Sequence, residues 1–286
     1  MKISTQLAIL EDFRRLAPCA LTRQKLNQHL ANRRASWKAP KSFGVYDLID
    51  LLEENGSLNT AEITSDEYGS KGRYVIGDVS FPQLALSFYK DSYLSHGTAL
   101  DLHGLVSFKE ILVNHEQSPK PSAGRGQLSQ SGLDQAFSNQ PRRSNYIFRY
   151  GRRTITFLNG KNTGRAGVIE KPGANGEPLH VTSMERTLID VIVRPQYAGG
   201  IHNVQKAFKA AKDRVSVEEM AMLLAKIKHL YPYHQALGFM LQKAGMNEEA
   251  LSSLRKPKIL FKFYLEYAMK APKYDPVWQL YYPSNL

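Results

Sequence analysis

The sequence predicts an α+β protein of two domains. Apolar residues recur at helical spacing through residue 54, and two short alternating segments separated by a turn-rich stretch follow them. The rest of the chain mixes alternating strands with helical stripes and is mainly helical towards its C-terminal end. We therefore predict a small domain over residues 1–80 and a larger domain of mixed helices and antiparallel strands over residues 81–286.

Five elements are expected in the first domain. Three are helices, each with an apolar stripe, and two are short strands joined by a turn. They lie near residues 5–16, 22–30, 42–54, 58–64 and 73–76. Three helices followed by a β-hairpin describe a winged helix-turn-helix, in which the helix before the hairpin enters the major groove of DNA.

Polar and basic residues around the second helix, the third helix and the hairpin are the predicted DNA contacts. They are Arg33, Arg34, Lys38, Lys41, Ser42, Tyr46, Lys71 and Arg73. The third helix also carries Asp47, Asp50, Glu53 and Glu54, which repel phosphate unless they face away from it. A winged helix used for protein contact or dimerisation therefore remains the alternative.

Composition narrows the class of protein. A hydrophobic content of 42% and a charged content of 22% are typical of a globular chain, and no apolar run reaches the ~20 residues of a membrane span. The net charge of +12 makes a polyanion the expected partner. Cys19 is the single cysteine, so no disulfide framework is possible and a cytoplasmic location is expected.

Most of the excess positive charge follows residue 80. Residues 116–145 are rich in Ser, Gln, Pro and Gly with few apolar anchors, which predicts a mobile loop. A basic surface on the second domain is predicted from seven cations: Arg142, Arg143, Arg149, Arg152, Arg153, Lys161 and Arg165. A contact with a phosphate backbone is favoured over a merely solvated face because few acidic residues lie among them.

No catalytic or metal-binding signature is found. His96 and His103 lie seven residues apart near Asp101, but a zinc site needs three or four ligands and no third is spaced to join them. Packed, hydrogen-bonded histidines are the favoured interpretation, and it applies equally to His229 and His234. We predict no cofactor, no metal and no enzymatic activity.

The stretch from residue 180 to 200 predicts a rigid corner between two helices. Thr182 and Glu185 have the spacing of a capping box at the start of the first helix. Arg186 and Asp190 are four residues apart and can pair across one turn. After Pro195 ends the helix, two consecutive glycines permit a tight turn into the next one.

Three stretches resemble the AbiEi-like antitoxins. The first is Glu185-Arg186-Thr187-Leu188-Ile189-Asp190 running into Arg194-Pro195 and then Ala198-Gly199-Gly200. The second spans Tyr93 to Leu105, and the third leads from Asp275-Pro276 through Trp278 to Asn285. The resemblance covers roughly the last two thirds of the chain and marks Glu185, Arg186, Asp190, Gly199 and Gly200 as motif positions.

This resemblance implies a function. AbiEi-like proteins are the antitoxins of type IV toxin–antitoxin pairs that act in abortive infection, a form of phage defence. It implies a partner toxin of the nucleotidyltransferase class, a winged helix that binds inverted repeats in the shared promoter as a transcriptional autorepressor, and neutralisation that often proceeds without a stable complex. A nucleic-acid-binding regulator or accessory factor without a toxin partner is the alternative. A nuclease using Glu185 and Asp190 is the third hypothesis.

Overall fold

The computed structural model describes residues 1–118 and 128–286. The protein is a mixed α/β structure, which confirms the broad fold class. Its helices in these residues are α1 (Ile3–Leu16), α2 (Arg23–Trp37), α3 (Val45–Glu54), α4 (Phe81–Leu86), α5 (His96–Leu102), α6 (Gln130–Ser138), α7 (Met184–Val193), a 3-10 helix (Pro195–Ala198), α8 (Ile201–Ala211), α9 (Val217–Ile227), α10 (Tyr233–Lys243) and α11 (Ser252–Arg255).

The strands are short and mostly antiparallel. They are β1 (Cys19–Leu21), β2 (Asn59–Ser65), β3 (Gly69–Ile76), β4 (Tyr93–Leu94), β5 (Ile111–Glu116), β6 (Ile147–Tyr150), β7 (Arg153–Gly160), β8 (Val168–Pro172), β9 (Pro178–Thr182), β10 (Phe263–Tyr264), β11 (Lys273–Asp275) and β12 (Leu280–Tyr282).

The chain forms two compact units, and each is assembled from separated segments. The first unit comprises Met1–Lys90, Tyr146–Ile155 and Pro172–Leu179, and the second comprises Asp91–Asn145, Thr156–Lys171 and His180–Leu286. The sequence predicted one boundary after residue 80. The later segment joins the first unit because β6 pairs with β2, with Thr64 opposite Arg149. Such long-range strand pairing leaves no local trace in the sequence.

The first unit packs α1, α2 and α3 over an antiparallel sheet in the order β1–β3–β2–β6. Phe13 of α1 and Leu26 and Leu30 of α2 are almost fully buried, and Leu48 and Leu52 of α3 complete this core. In α2 and α3 these are the helical stripes that the sequence predicted. In α1 the prediction was partly wrong, because Leu7 is 60% exposed and Ile9 is buried with Phe13.

Two helix boundaries in this unit differ from the prediction. Helix α2 continues to Trp37 instead of ending near Leu30, because Trp37 extends the apolar stripe by two turns and is 3% exposed. Helix α3 begins after Gly44, not after Ser42. The carboxylate of Asp47 accepts a 2.7 Å hydrogen bond from the Gly44 amide, which fixes that start.

The second unit is organised around α7, nearly all of which is buried. Helices α5, α8, α9 and α10 pack against it. The sheet of this unit has the order β5–β4–β9–β8, with β4 antiparallel to β5 and parallel to β9. Helix α7 follows β9 directly. The motif residues on α7 therefore lie next to the sheet and in the centre of the helical core.

Part of the predicted loop over residues 116–145 is instead helical. Residues 130–138 form α6, and Leu133 and Phe137, one turn apart, are both buried. Phe137 stacks on Tyr267 with 4.3 Å between ring centroids. Two anchors at helical spacing are enough to dock a short helix, although the segment as a whole is polar. Residues 119–127 of the predicted loop lie outside the described residues.

The strands near the C-terminal end of the chain are short. Residues 259–265 contain only the two-residue β10, which pairs in parallel with β12. Trp278 lies just before β12 and is fully buried. None of the described helices combines the length and the apolar character needed to cross a membrane.

Candidate functional site

Helix α7 starts one residue later than the predicted capping box. The hydroxyl of Ser183 accepts the capping hydrogen bond from the Arg186 amide. The Thr182 hydroxyl instead pairs with that of Thr187 at 2.7 Å. Glu185 turns away from the helix start and accepts a 3.2 Å hydrogen bond from the backbone amide of Ser216. Glu185 therefore joins the start of α9 to α7.

Arg186 and Asp190 form a buried ion pair within α7. The Arg186 Nε atom donates to Asp190 Oδ1 at 2.8 Å, and the two side chains are 4% and 8% exposed. The guanidinium also donates to the carbonyl of Ala166. Burial alone would lower the pKa of Arg186, but the adjacent Asp190 carboxylate outweighs it and raises that pKa. Arg186 and one carboxylate oxygen of Asp190 are held in this pair, whereas Asp190 Oδ2 is buried without a hydrogen-bond partner among the described residues.

The carboxylate of Glu116, at the end of β5, accepts several hydrogen bonds. Glu116 accepts hydrogen bonds from the backbone amides of Thr163 and Arg165, at 2.9 Å and 3.2 Å, and from the hydroxyl of Tyr93. Desolvation raises its pKa, but these hydrogen bonds dominate and the pKa is lowered overall. Glu116 thus fixes the loop between β7 and β8.

The Arg-Pro and Gly-Gly positions build the predicted corner. Gly199 and Gly200 have φ angles of 79° and 91°, and the Gly200 amide donates to the Pro195 carbonyl at 2.9 Å. A residue with a Cβ costs about 1–2 kcal/mol in such a left-handed conformation, which is why glycine suits both positions. The corner turns the chain from α7 into α8 and leaves Arg194 half-buried beside it.

A cleft of about 750 Å³ opens beside this corner, entirely within the second unit. Its wall is formed by the segment after α6, residues 158–159 of β7, the residues around the 3-10 helix, the loop before α10 and Tyr267. Its basic and aromatic lining residues are Arg142, Arg143, Arg194, Tyr197, His229, Tyr231, Tyr233 and Tyr267. We call this the arginine–tyrosine cleft.

The ionic side chains that line the cleft are positively charged. No aspartate or glutamate is among the residues that line it, within the part of the chain that the structure describes. Across those same residues, the guanidinium groups of Arg142, Arg143 and Arg194 make neither an ion pair nor a hydrogen bond. Three arginines without a protein partner give this concave surface a positive charge, which attracts anions.

His96 and His103 are hydrogen-bonded to neighbouring groups, whereas the Nε2 atoms of His229 and His234 are buried without a hydrogen-bond partner among the described residues. His96 Nδ1 lies 2.8 Å from the Ser95 hydroxyl, and His103 Nε2 lies 2.7 Å from the carbonyl of Thr182. Residues 1–118 and 128–286 contain no group of three or more His, Cys, Asp or Glu side chains placed to hold a metal ion. Burial lowers the pKa of His96, and that of His229, to about 4.

These buried histidines predict a loss of stability in mild acid. In the unfolded chain they bind a proton near pH 6.5, whereas the folded protein excludes it until about pH 4. The unfolded state binds more protons in this interval, so stability present above pH 6.5 falls as the pH drops towards 4, by roughly 3 kcal/mol for each histidine. Chemical denaturation between pH 7 and pH 4.5 measures it.

The matched variants are His96→Asn and His202→Asn, the second at an exposed histidine of α8. We expect the first to flatten the dependence of stability on pH and the second to leave it unchanged. Equal slopes for wild type and His96→Asn would contradict the assignment.

Some of the predicted DNA contacts make ion pairs or hydrogen bonds within the protein, and others have exposed side chains. Arg33 pairs with Asp12, Arg34 donates to the Pro40 carbonyl, and Arg73 donates to the Ser87 carbonyl at 3.1 Å. Lys71 lies between the phenol groups of Tyr89 and Tyr146. The side chains of Lys38, Lys41, Ser42 and Tyr46 are exposed. Within the predicted set, Arg34, Lys71 and Arg73 are partly buried, and Arg33 is exposed but paired with Asp12.

The seven predicted cations of the second domain do not belong to one unit. Arg149, Arg152 and Arg153 lie in the β6–β7 hairpin of the first unit, because that hairpin joins β2. Lys161 donates to the carbonyl of Ile227 at 2.7 Å, and Arg165 donates to that of Asp91. Of the predicted set, only Arg142 and Arg143 line the arginine–tyrosine cleft.

The sequence matches no protein-family model, and no curated protein matches it. Among solved structures, the crystal structure of the RV2827C protein from Mycobacterium tuberculosis is similar, with a TM-score of 0.54. The sequence identity is 16%, and the alignment covers 98% of this chain and 92% of that chain. At this identity the likeness establishes a shared fold.

Sequence reasoning missed Arg194 and the tyrosines as site residues. Arg194 was assigned only to a structural corner, and Tyr231, Tyr233 and Tyr267 were not singled out. The available signal was the density of tyrosine after residue 230 in a chain with 15 of them, next to a motif with an arginine at its turn. Their convergence depends on the packing of α6, α7 and α10.

Proposed function

We propose that this protein is an AbiEi-like antitoxin of a type IV toxin–antitoxin pair and that it represses its own promoter by binding DNA. The observation that carries the DNA-binding part is the element order α1–β1–α2–α3–β2–β3 with the sheet order β1–β3–β2. A helical trio followed by a β-ribbon is the arrangement of winged-helix proteins, which insert the third helix into the major groove.

The antitoxin part rests on the motif resemblance, and the roles of the motif residues support it. Arg186 and Asp190 are buried and paired, Glu185 bonds across to α9, and Gly199 and Gly200 occupy left-handed positions. Each position has a physical reason for its residue type, so the motif corresponds to a structural requirement of this fold. We propose a non-catalytic role, since the two motif carboxylates are engaged in these contacts.

The charge of α3 restricts how it approaches DNA. Asp50, Glu53 and Glu54 are exposed along its later turns, whereas Tyr46 is exposed in its first turn and Lys41 in the segment before it. Asp47 is also exposed in the first turn, where its carboxylate accepts from the Gly44 amide. Because carboxylates near phosphate are repulsive, docking has to lead with the start of α3. There the Tyr46 hydroxyl accepts a 2.6 Å hydrogen bond from Arg23, the first residue of α2, so a guanidinium accompanies the tyrosine.

We expect Lys41→Ala combined with Tyr46→Ala to weaken binding to the gene's own promoter duplex about tenfold or more, the size of one or two lost groove contacts. Fluorescence anisotropy with the full chain measures it at fixed salt. The control is Lys206→Ala with Lys209→Ala, two exposed lysines on α8. An unchanged midpoint in the first variant, or an equal loss in the control, would show that α3 is not the reading helix.

Co-expression tests the antitoxin part separately. The neighbouring open reading frame is expressed alone and together with this protein, and growth is recorded. We expect growth arrest by the neighbour alone and recovery with this protein. A neighbour without toxicity would remove the antitoxin assignment and leave the alternative, a nucleic-acid-binding regulator without a toxin partner, which the unpaired arginines of the cleft favour independently.

A further inference from the structure

We propose that the arginine–tyrosine cleft of the second unit binds a single-stranded stretch of nucleic acid, with Arg142, Arg143 and Arg194 on phosphates and tyrosine rings against bases. This goes beyond promoter recognition, which we assign to the first unit. It does not rest on that assignment, because every residue that lines the cleft belongs to the second unit.

Charge selects an anion for this cleft. Arg142 and Arg143 are exposed, Arg194 is half-buried, and none of the three guanidinium groups has a protein partner among the described residues. Unpaired guanidinium groups present forked donors that match phosphate oxygens. Three of them on one concave surface exceed what a single carboxylate or phosphate group requires, so a ligand with several phosphates fits best.

The neighbouring carboxylates do not neutralise this charge. Asp190, the nearest acid on α7, is paired with Arg186. A recess continuous with the cleft, sharing Arg143 and Tyr267 with it, has Glu266 on its wall. Burial raises the pKa of Glu266, and this carboxyl lies on the wall of the recess, not among the residues that line the cleft.

The aromatic lining distinguishes nucleic acid from other polyanions. Tyr231 and Tyr267 are only partly buried, so each keeps a surface for contact. Both are held by Phe137, at centroid distances of 5.3 Å and 4.3 Å. A fixed ring next to unpaired cations is the combination that binds unpaired bases and their backbone, and stacking is worth about 1–3 kcal/mol per base. An acidic peptide gains nothing comparable from these rings.

The size of the cleft selects a single strand. A volume of about 750 Å³ lies in the range of small-ligand sites and accommodates roughly one or two nucleotides. The bases of a duplex are stacked on each other and present only their edges, so they cannot reach the tyrosines. An unpaired segment can turn a base into the cleft while its phosphates remain at the arginines.

The test uses the full-length protein and fluorescein-labelled 12-nucleotide single strands of mixed sequence, as RNA and as DNA, followed by anisotropy over a range of salt. We expect Arg142→Ala with Arg143→Ala to weaken binding of at least one strand about tenfold. The salt dependence should also flatten by about 1.4, because each lost single-strand phosphate contact contributes about 0.7. Lys206→Ala with Lys209→Ala, the charge-matched control on α8, should change binding less than twofold.

A second pair of variants tests stacking. Tyr231→Leu should weaken binding, whereas Tyr231→Phe, which keeps the ring, should restore it. Unchanged affinity in the arginine variant, or an equal loss in the lysine control, would overturn the proposal. Displacement of the strand by AMP at equimolar concentration would also overturn it in favour of a free nucleotide, and equal displacement by polyglutamate would indicate an acidic protein segment.

Promoter duplex measured with the same variants separates the two proposals. The arginine variant should bind duplex as the wild type does, since Arg142 and Arg143 lie outside the first unit. Loss of single-strand binding with duplex binding retained supports the cleft proposal even if the toxin assignment fails. Parallel losses for duplex and single strand would overturn a distinct role for the cleft.

Discussion

Replacing Arg186 with alanine is expected to lower the free energy of unfolding by about 3–5 kcal/mol, one of the two largest effects predicted for this protein. The substitution leaves the Asp190 carboxylate buried with its charge uncompensated. It also removes the donor to the Ala166 carbonyl. Urea denaturation followed by circular dichroism measures the change.

The chain offers a matched control for this ion pair. Arg15 and Glu11 on α1 have the same four-residue spacing but are 74% and 63% exposed. Because water screens an exposed pair, Arg15→Ala should reduce stability by less than about 0.5 kcal/mol. Similar losses of unfolding free energy in the two variants would show that burial of the α7 pair does not account for its contribution to stability.

Trp278→Ala is expected to destabilise the second unit by about 3–5 kcal/mol, the usual loss for a large buried aromatic side chain. Trp278 is fully buried, and its indole nitrogen donates to the Gln242 side chain. Its backbone carbonyl accepts a 2.7 Å hydrogen bond from Gln235. Loss of the ring leaves a cavity, and it also leaves the side-chain oxygen of Gln242 on α10 without the indole donor.

Gly238 provides the second half of a double-mutant cycle. It lies on α10 beneath the indole ring, and a methyl group there would overlap the ring atoms of Trp278. Gly238→Ala alone should cost about 1–3 kcal/mol through overpacking. In the Trp278→Ala background the same change should be neutral or stabilising, since alanine favours a helix over glycine by about 1 kcal/mol. Additive losses would contradict direct packing of these two residues.

Local pattern predicted the helices better than it predicted their ends. The apolar spacing in α3, α7 and α9 identified the faces that the structure buries, but in α1 it included Leu7, which is 60% exposed. The end of α2 was wrong because Trp37 extends the stripe beyond a region that reads as basic and polar. Helix α6 was not predicted because only two of its side chains, Leu133 and Phe137, are buried. The overall composition of the segment is polar, so it did not indicate these two contacts.

The arginine–tyrosine cleft was beyond the reach of sequence patterns. Its residues come from positions 142–143, 194–197, 231–233 and 267, which are separated by about 35 to 50 residues each. Spacing rules detect neighbours within one helix or strand, whereas this surface forms only when α6, α7 and the loop before α10 pack together. Arg142 and Arg143 were predicted for their charge, but their aromatic surroundings depend on the tertiary structure.

The interleaved first unit has a consequence for how the protein is made. Strand β6 and the segment Pro172–Leu179 are synthesised long after Lys90. Strand β2 can therefore pair with β3 at once, but its other edge has no partner until β6 is made. During translation the edge of β2 is open to other strands, which is the usual starting point of aggregation. A fragment ending near residue 90 would keep that edge permanently, so expression of this unit requires the chain through residue 179.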